Sequence, residues 1–356
     1  MTNRQTRLHV GAAAVALAAV LLALAGCGSS SRSSSSAGSA PATPTTAGTT
    51  STATTAGGAL TPAVDELDAA EHPRAGQFPS AAGHTLQQLA RTAKAAVQLG
   101  PATGVFVPGV RRIAFALNAS SGAFVYAPTA IYIARRPGDP ARGPYLAPAD
   151  PMGVQSQYRS KQNSGPGGIK AIFGTEVPVP GKGTYSILAL TRTAKGLIGA
   201  TGEVAVAAAS PIPDVGQRPP AVATDTLAST HGNLSLLTTR VPPESMHSVS
   251  FSAVLGKRPI ALVISTPQLC VSRVCGPVTD IAVQLQREFG HRIDFIHQEV
   301  YVDNQPSKGL RPQLIAFHLQ TEPWLFTINR RGLIAARLEG AYGLHEARQA
   351  LLAALR

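Results

Sequence analysis

Hydrophobic and polar positions follow a different pattern in each of four successive parts of the chain. Residues 10–24 are apolar without interruption, and residues 28–59 are almost all Ser, Thr, Ala, Gly and Pro. Between residues 103 and 209, short β-branched and aromatic runs are separated by turn-forming residues. From residue 260 onwards, apolar runs of strand length alternate with apolar residues at helical spacing. These patterns predict a leader, a tether, an all-β domain and an α/β domain.

The leader, residues 1–26, has the features of a lipoprotein signal peptide. Arg4 and Arg7 precede the apolar segment, and small residues directly precede Cys27. This pattern predicts export, cleavage before Cys27 and attachment of a lipid to that cysteine. A transmembrane anchor is the alternative, but the apolar segment is shorter than the roughly 20 residues that span a bilayer.

The lipid should hold the protein on the extracytoplasmic face of the cell membrane, which makes the lipid membrane its first predicted partner. Residues 27–75 are predicted to be a disordered tether, because they contain too little apolar surface to offset the entropy of ordering. The formal net charge is +12. The Arg residues are dispersed and no tract interleaves them with aromatic residues, so no nucleic-acid partner is expected.

Residues 76–210 are predicted to form an immunoglobulin-like β-sandwich. Thr85 begins a helical pattern of about three turns, and short strands recur after it. Residues 178–185, Pro-Val-Pro-Gly-Lys-Gly-Thr-Tyr, resemble the proline-glycine turn before a late strand of many extracellular sandwich domains, where the tyrosine packs into the core. Neither a cysteine pair nor a titratable cluster marks a site here. We therefore expect this domain to be dispensable for any disulfide chemistry.

Two cysteines lie between a predicted strand and a predicted helix. Residues 260–264, Ile-Ala-Leu-Val-Ile, are typical of a buried strand, and helical spacing resumes at Pro277. Proline is favoured in the first helical turn, so Cys275 is expected just outside the N-terminus of the helix. That end favours negative charge, which predicts a lowered pKa for the Cys275 thiol, while Cys270 lies upstream in the loop.

Short motifs carry a resemblance to the thioredoxin-like superfamily over about residues 215–356. Residues 275–277, Cys-Gly-Pro, resemble part of the thioredoxin active site, and residues 321–326, Thr-Glu-Pro-Trp-Leu-Phe, resemble its Thr-x-Pro and the strand that follows. Residues 214–220 are similar to the first segment of membrane-tethered thioredoxin-like and peroxiredoxin-like branches. Residues 211–356 are therefore predicted to be an α/β thioredoxin-like domain with the order strand, helix, strand, helix, strand, strand, helix.

The resemblance implies an exported thiol–disulfide oxidoreductase that needs no cofactor and acts on exported thiol or disulfide proteins. The chain departs from the superfamily pattern at Val278, which occupies the position of the second thioredoxin cysteine. Cys270 lies upstream instead. In this interpretation Cys275 attacks the substrate and Cys270 resolves the mixed disulfide.

Four further residues are implied as parts of the same site. Pro323 corresponds to the cis-proline and would present the backbone of Glu322 beside the sulfurs. Gly276 and Pro277 would support the cysteine at the beginning of the helix.

Alternatives remain open from the residues alone. The cysteine pair could be a structural disulfide, or the domain could be a degenerate scaffold of a binding lipoprotein. A thioredoxin-like copper-delivery protein would use both cysteines and a histidine, and His318 lies near the required place but not at it. A peroxiredoxin is excluded, because Pro267 is one residue out of register with Ser272 and Cys275.

Other polar residues are predicted to be structural. His297 and His318 are candidate bases, but His297 lies on an alternating strand and is expected to be half-buried and hydrogen-bonded. Glu299 is expected to be a surface charge. Met246 and His247 are adjacent in a loop, a chance pairing of ligand types, and we predict no metal site.

Overall fold

The computed structural model describes residues 65–163 and 168–356, which belong to one compact unit, Gly57–Arg356. Within these ranges the chain is mixed α/β, with several β-sheets and few helices, as predicted. The predicted leader, Cys27 and the tether up to residue 64 lie outside the described residues. The end of the predicted tether is folded, because it contains a short helix in which Ala70 is fully buried.

The bounds of the elements are as follows. The strands are β1 (Lys94–Ala95), β2 (Val97–Pro101), β3 (Gly109–Ala119), β4 (Thr129–Ala134), β5 (Arg142–Leu146), β6 (Ala149–Pro151), β7 (Ala171–Val179), β8 (Gly183–Thr193), β9 (Gly196–Val206), β10 (Ile260–Ile264), β11 (Asp294–Gln298), β12 (Trp324–Ile328) and β13 (Ile334–Glu339). The α-helices are α1 (Leu67–Ala70), α2 (Leu86–Ala90), α3 (Phe251–Val254), α4 (Cys275–Phe289), α5 (Pro312–Ala316) and α6 (Leu344–Ala354). The 3-10 turns are Ala75–Gln77, Ser156–Tyr158, Leu234–Leu236, Val302–Asn304 and Pro306–Lys308.

Two sheets pack face to face in the first part of the chain. Their strand orders are β1-β9-β8-β4-β5 and β2-β3-β7-β6. Alternate side chains of both sheets meet in one core, where Phe115 stacks on Phe173 with ring centroids 5.4 Å apart. Tyr185 lies in this core and donates a hydrogen bond to the carbonyl of Gly181 at 3.0 Å. The predicted packing of this tyrosine into the core is confirmed.

The predicted three-turn helix after Thr85 is too long. Thr85 caps α2 as predicted, since its side chain accepts from the N–H of Gln88 at 3.2 Å and the Gln88 side chain accepts from the Thr85 N–H at 2.8 Å. The helix ends at Ala90, and the chain then enters β1 and β2. Val97 and Leu99 pack against the sandwich core, and this tertiary contact overrides the helical pattern.

The last sheet has the order β11-β10-β12-β13. Strand β10 is parallel to β11 and antiparallel to β12, and β12 and β13 form the predicted hairpin with Gly332 at φ 77°. Residues of α4 and α6 pack on one face of this sheet, while residues of α3 and α5 pack on the other. The predicted order of strands and helices is found.

The two predicted domains share a hydrophobic cluster. On β3, Phe115 and Leu117 point into the sandwich core, whereas Ala114 and Ala116 lie on the opposite face, against the cluster that contains Ile281 of α4. Both faces of this sheet are therefore covered. The cysteine loop consequently lies beside a wall that belongs to the β-sheet part of the chain.

Candidate functional site

The cysteines lie in the loop from β10 to α4. Helix α4 begins at Cys275, two residues before the predicted start, with Val274 as its N-cap. Cys275 is thus inside the first helical turn and is fully buried, while Cys270 in the loop is 8% exposed. Both cysteines are free.

The structure brings three of the predicted site residues together. The Sγ atoms of Cys270 and Cys275 and a carboxylate oxygen of Glu322 all lie within 4.8 Å of one another. The bond between Glu322 and Pro323 is cis, as the resemblance implied. The carboxylate of Glu322, and not only its backbone, therefore belongs to the site.

The pKa of Cys270 is lowered to about 6. The largest cause is a hydrogen bond from the thiol of Cys275 to the Cys270 sulfur. Burial opposes it, but further hydrogen bonds from the Ser272 hydroxyl, at 3.2 Å, and from the backbone N–H groups of Cys275 and Val274 favour the thiolate. The N-terminus of α4 thus stabilises charge on Cys270.

The prediction of a lowered pKa for Cys275 is wrong. Burial raises the pKa of its thiol well above the ordinary value, and donation to the Cys270 sulfur and the negative charge on that sulfur raise it further. The charge on Glu322 acts in the same direction. The backbone N–H groups of the first turn point beyond the N-terminal end of the helix. They therefore donate to a group in the preceding loop and not to a side chain within the turn itself.

The shape of the loop explains which sulfur the helix end reaches. The N–H of Cys270 donates to the carbonyl of Thr266 at 3.1 Å, and that of Arg273 donates to the carbonyl of Cys270 at 3.2 Å. Arg273 then adopts a left-handed backbone with φ 59°, which is uncommon for a residue other than glycine. This turn directs the N–H groups of Val274 and Cys275 back to the Cys270 sulfur.

A segment of the β-sheet part packs against the first turn of α4. The carbonyl oxygen of Gln162 approaches Gly276 so closely that a Cβ atom at this position would lie 2.2 Å from it. Gly276 is therefore required here by contact with a distant segment. Pro277, also buried, continues the first turn of α4.

A buried ion pair holds this segment on the helix. Asp280 of α4 and Arg240 are 0% and 3% exposed, and the Arg240 Nε atom lies 2.9 Å from a carboxylate oxygen of Asp280. The other oxygen of Asp280 accepts from the backbone N–H of Ser160 at 2.9 Å and from the Asn163 side chain at 3.1 Å. Arg240 also donates to the carbonyl of Tyr158 at 2.6 Å. Sequence reasoning missed this network, because its members are far apart in the chain.

His297 lies beneath the loop in a continuous chain of hydrogen bonds. Its Nδ1 is 2.6 Å from Glu244, and its Nε2 is 2.9 Å from the Ser265 hydroxyl. Ser265 is 2.8 Å from Thr279, which donates to the carbonyl of Cys275 at 2.7 Å. Burial lowers the pKa of His297, but Glu244 outweighs it, so this pKa is raised. The chain of bonds fixes the first turn of α4 from below.

Several polar residues that were assigned to the surface or to a loop are buried. Glu299 is fully buried rather than a surface charge, and it accepts from the N–H and hydroxyl of Thr239 at 2.6 and 2.7 Å.

His297 is 1% exposed and His247 3%. His247 shares Glu244 with His297 at 2.6 Å, and these three residues form a second group of possible metal donors. His318 is exposed and does not belong to the group that contains the cysteines.

Two tyrosines near the cysteines were not predicted. Burial raises the pKa of Tyr301, and the charges of Glu322 and of both cysteines add to this effect. Burial also raises the pKa of Tyr342, with the charge of Cys275 as the next cause. Both phenols therefore stay protonated at neutral pH.

The cysteine loop borders a cleft of about 780 Å³. Ser272 and Glu322, the neighbours of the Cys270 sulfur, line one side of it, together with Pro323. Residues 100–104 with Ala116, Asn118 and Phe124 also line it. The β-sheet part thus forms one wall of the cleft, although sequence reasoning found no site residue in it.

No family model and no curated protein match this chain. Among solved structures, one match is the crystal structure at 1.98 Å of an engineered protein, which is 18% identical with a TM-score of 0.20. The match covers 33% of this chain and 21% of that protein, and at this TM-score it carries no argument about the fold. None of the helices in the described ranges is both long and apolar enough to cross a membrane.

Proposed function

We propose that this protein is an exported thiol–disulfide oxidoreductase with a thioredoxin-like C-terminal part and an immunoglobulin-like N-terminal part. The sheet order β11-β10-β12-β13, with only β10 and β11 parallel, supports the first assignment. The two packed sheets of residues 94–206 support the second.

One observation carries the functional proposal. Cys270 has a pKa of about 6 and lies within 4.8 Å of a second free thiol. At neutral pH such a cysteine is mostly the thiolate, the species that attacks disulfides. We therefore assign the attack to Cys270 and resolution to Cys275, the reverse of the roles expected from the sequence.

The reaction proceeds by two exchanges. The Cys270 thiolate forms a bond to one sulfur of the substrate disulfide, and the other substrate sulfur leaves as a thiolate. The Cys275 thiol then loses its proton and attacks the Cys270 sulfur, which releases the second substrate thiolate and leaves the protein oxidised. Glu322 is placed to accept the proton, because its carboxylate oxygen lies within 4.8 Å of the Cys275 sulfur and burial raises its pKa.

Trapping of mixed disulfides tests this assignment. Cys275→Ser should accumulate covalent complexes with disulfide substrates, because the intermediate on Cys270 has lost its resolving thiol, and Cys270→Ser should accumulate none. Non-reducing gel electrophoresis followed by mass spectrometry of the adducts is the measurement. Serine is the matched replacement at both positions, since it keeps size and hydrogen bonding.

Other outcomes would point to other functions. Trapping by Cys270→Ser alone would restore the roles expected from the sequence. If neither variant traps and the pair has a reduction potential below about −300 mV, the bond is structural and the domain is a degenerate scaffold.

Copper delivery is a second candidate, favoured by the close grouping of Cys270, Cys275 and Glu322. Two thiolates suit Cu(I), but the raised pKa of Cys275 disfavours the second thiolate. Stoichiometric binding of Cu(I) that depends on both cysteines, together with absence of trapping, would favour this function over exchange.

We also propose that the protein is anchored in the cell membrane through a lipid on Cys27. The leader pattern of residues 1–26 supports this. Cys27→Ala should abolish metabolic labelling by a fatty acid, while Cys270→Ser should not. Labelling that persists in Cys27→Ala would contradict the anchor.

A further inference from the structure

The cleft beside Cys270 has a wall that cannot move away easily. Gly340 meets the carbonyl oxygen of Ala102 so closely that a Cβ atom would lie 1.7 Å from it. The carboxylate of Glu339 accepts from the backbone N–H groups of Gly104 and Val105, both at 3.0 Å. These contacts join the two sides of the cleft directly at its lining, and so they set its width.

The fixed wall restricts what can reach the nucleophile. Cys270 is only 8% exposed, and its neighbours Ser272 and Glu322 line the cleft. Thiol–disulfide exchange requires the attacking sulfur to approach a substrate sulfur directly. A disulfide on the surface of a folded protein would have to enter between the two walls, whereas a small molecule can enter without disturbing either of them.

The size and the lining of the cleft suit a small organic molecule. Its volume of about 780 Å³ lies within the range of roughly 300–1,000 Å³ that is typical of small-molecule sites. Phe124, Ile169 and Ile172 provide apolar surface, and polar groups are found at the cysteine end, at Ser272 and Glu322. Apolar walls with a few placed polar groups are usual for such sites.

We propose that the substrate is a low-molecular-weight disulfide that binds in this cleft, with the β-sheet wall determining its size. This rests on the proposed function and names its substrate class. The substrate takes up two electrons and leaves as two thiols, while Cys270 and Cys275 are oxidised to a disulfide. One proton comes from the Cys275 thiol and the other from the solvent, and a single turnover needs no other reductant.

Single-turnover kinetics test the substrate class. The reduced full chain in detergent is mixed with glutathione disulfide, with cystine or with insulin, and oxidation of the cysteine pair is followed by quenched alkylation. The second-order rate constant for the two small disulfides should exceed that for insulin by on the order of tenfold or more. The reason is that only the small disulfides can place their S–S bond in line with the Cys270 sulfur. A larger rate constant for insulin would overturn the proposal.

Variants of the wall make the test specific. Ala116→Phe should lower the rate constant for glutathione disulfide by on the order of tenfold. It should lower the rate of Cys270 alkylation by the smaller iodoacetamide much less. Asn118→Phe, at a partly exposed position of the same wall, serves if Ala116→Phe does not fold. Ala209→Phe, exposed and outside the cleft lining, is the matched control and should leave the rate constant unchanged.

The failure of this proposal can be told apart from failure of the oxidoreductase function. Unchanged glutathione disulfide kinetics in both wall variants would overturn the cleft as the substrate site, while trapping by Cys275→Ser would still support the function. Absence of reaction with all three disulfides, together with absence of trapping, would overturn both.

Discussion

In the reduced protein, Cys270 is expected to react with iodoacetamide at a rate that rises through a midpoint near pH 6 and is constant above about pH 7.5. The midpoint follows from its pKa of about 6, because only the thiolate reacts. Cys275 should remain a thiol across this range, since its pKa lies well above the ordinary value. At pH 7 the rates at the two cysteines should differ by about 100-fold or more. Mass spectrometry of the alkylated peptides at each pH is the measurement.

Two serine variants control this prediction. Ser272→Ala should move the midpoint to higher pH, because it removes the hydroxyl that lies 3.2 Å from the Cys270 sulfur. Ser307→Ala, which changes an exposed serine, should not move it. Faster alkylation of Cys275 than of Cys270 at pH 6 would refute the assignment of the nucleophile.

Asp280→Asn is expected to destabilise the protein by about 3–5 kcal/mol. The variant keeps the size of the side chain but leaves Arg240, which is 3% exposed, as a buried cation without its partner. It also weakens the bonds from Ser160 and Asn163 that hold the covering segment on α4. Denaturant unfolding of the reduced protein at pH 7 measures the loss. Alkylation of Cys275 should become faster at the same time, because the segment that covers Gly276 is released.

Glu288→Gln is the matched control for Asp280→Asn. It removes the same charge from the pair with Arg348, in which both side chains are about one-third exposed. Exposed pairs contribute less than about 1 kcal/mol, so the loss should be small and Cys275 should remain protected. Equal losses in the two variants would mean that the buried network does not hold the segment.

These contacts change the expectation for the β-sheet part. The sequence predicted that residues 76–210 are dispensable for disulfide exchange. In the structure, Gln162 covers the first turn of α4 and residues 100–104 form a wall of the cleft. We now expect that removal of this part would expose both cysteines and alter their reactivity.

The sequence by itself was sufficient to predict those features of the fold that depend on residues close together in the chain. The apolar run of β10, the helical spacing after Pro277 and the hairpin around Gly332 were predicted and are found. The cysteine count indicated that Cys270 and Cys275 belong together, and their sulfurs lie within 4.8 Å of each other. The cis bond before Pro323 was implied by the short motifs and is found. Local patterns are sufficient here because the hydrophobic periods of a strand and of a helix are visible over a few residues.

The lower thiol pKa at Cys270 than at Cys275 follows from the tertiary structure alone. The sequence placed a helix end beside Cys275, but the left-handed turn at Arg273 aims the N–H groups of that end at Cys270. The segment that packs on the first turn of α4, at Gly276, is more than one hundred residues away from it in the chain. A pKa depends on distance and desolvation in three dimensions, and neither can be obtained from spacing along the chain.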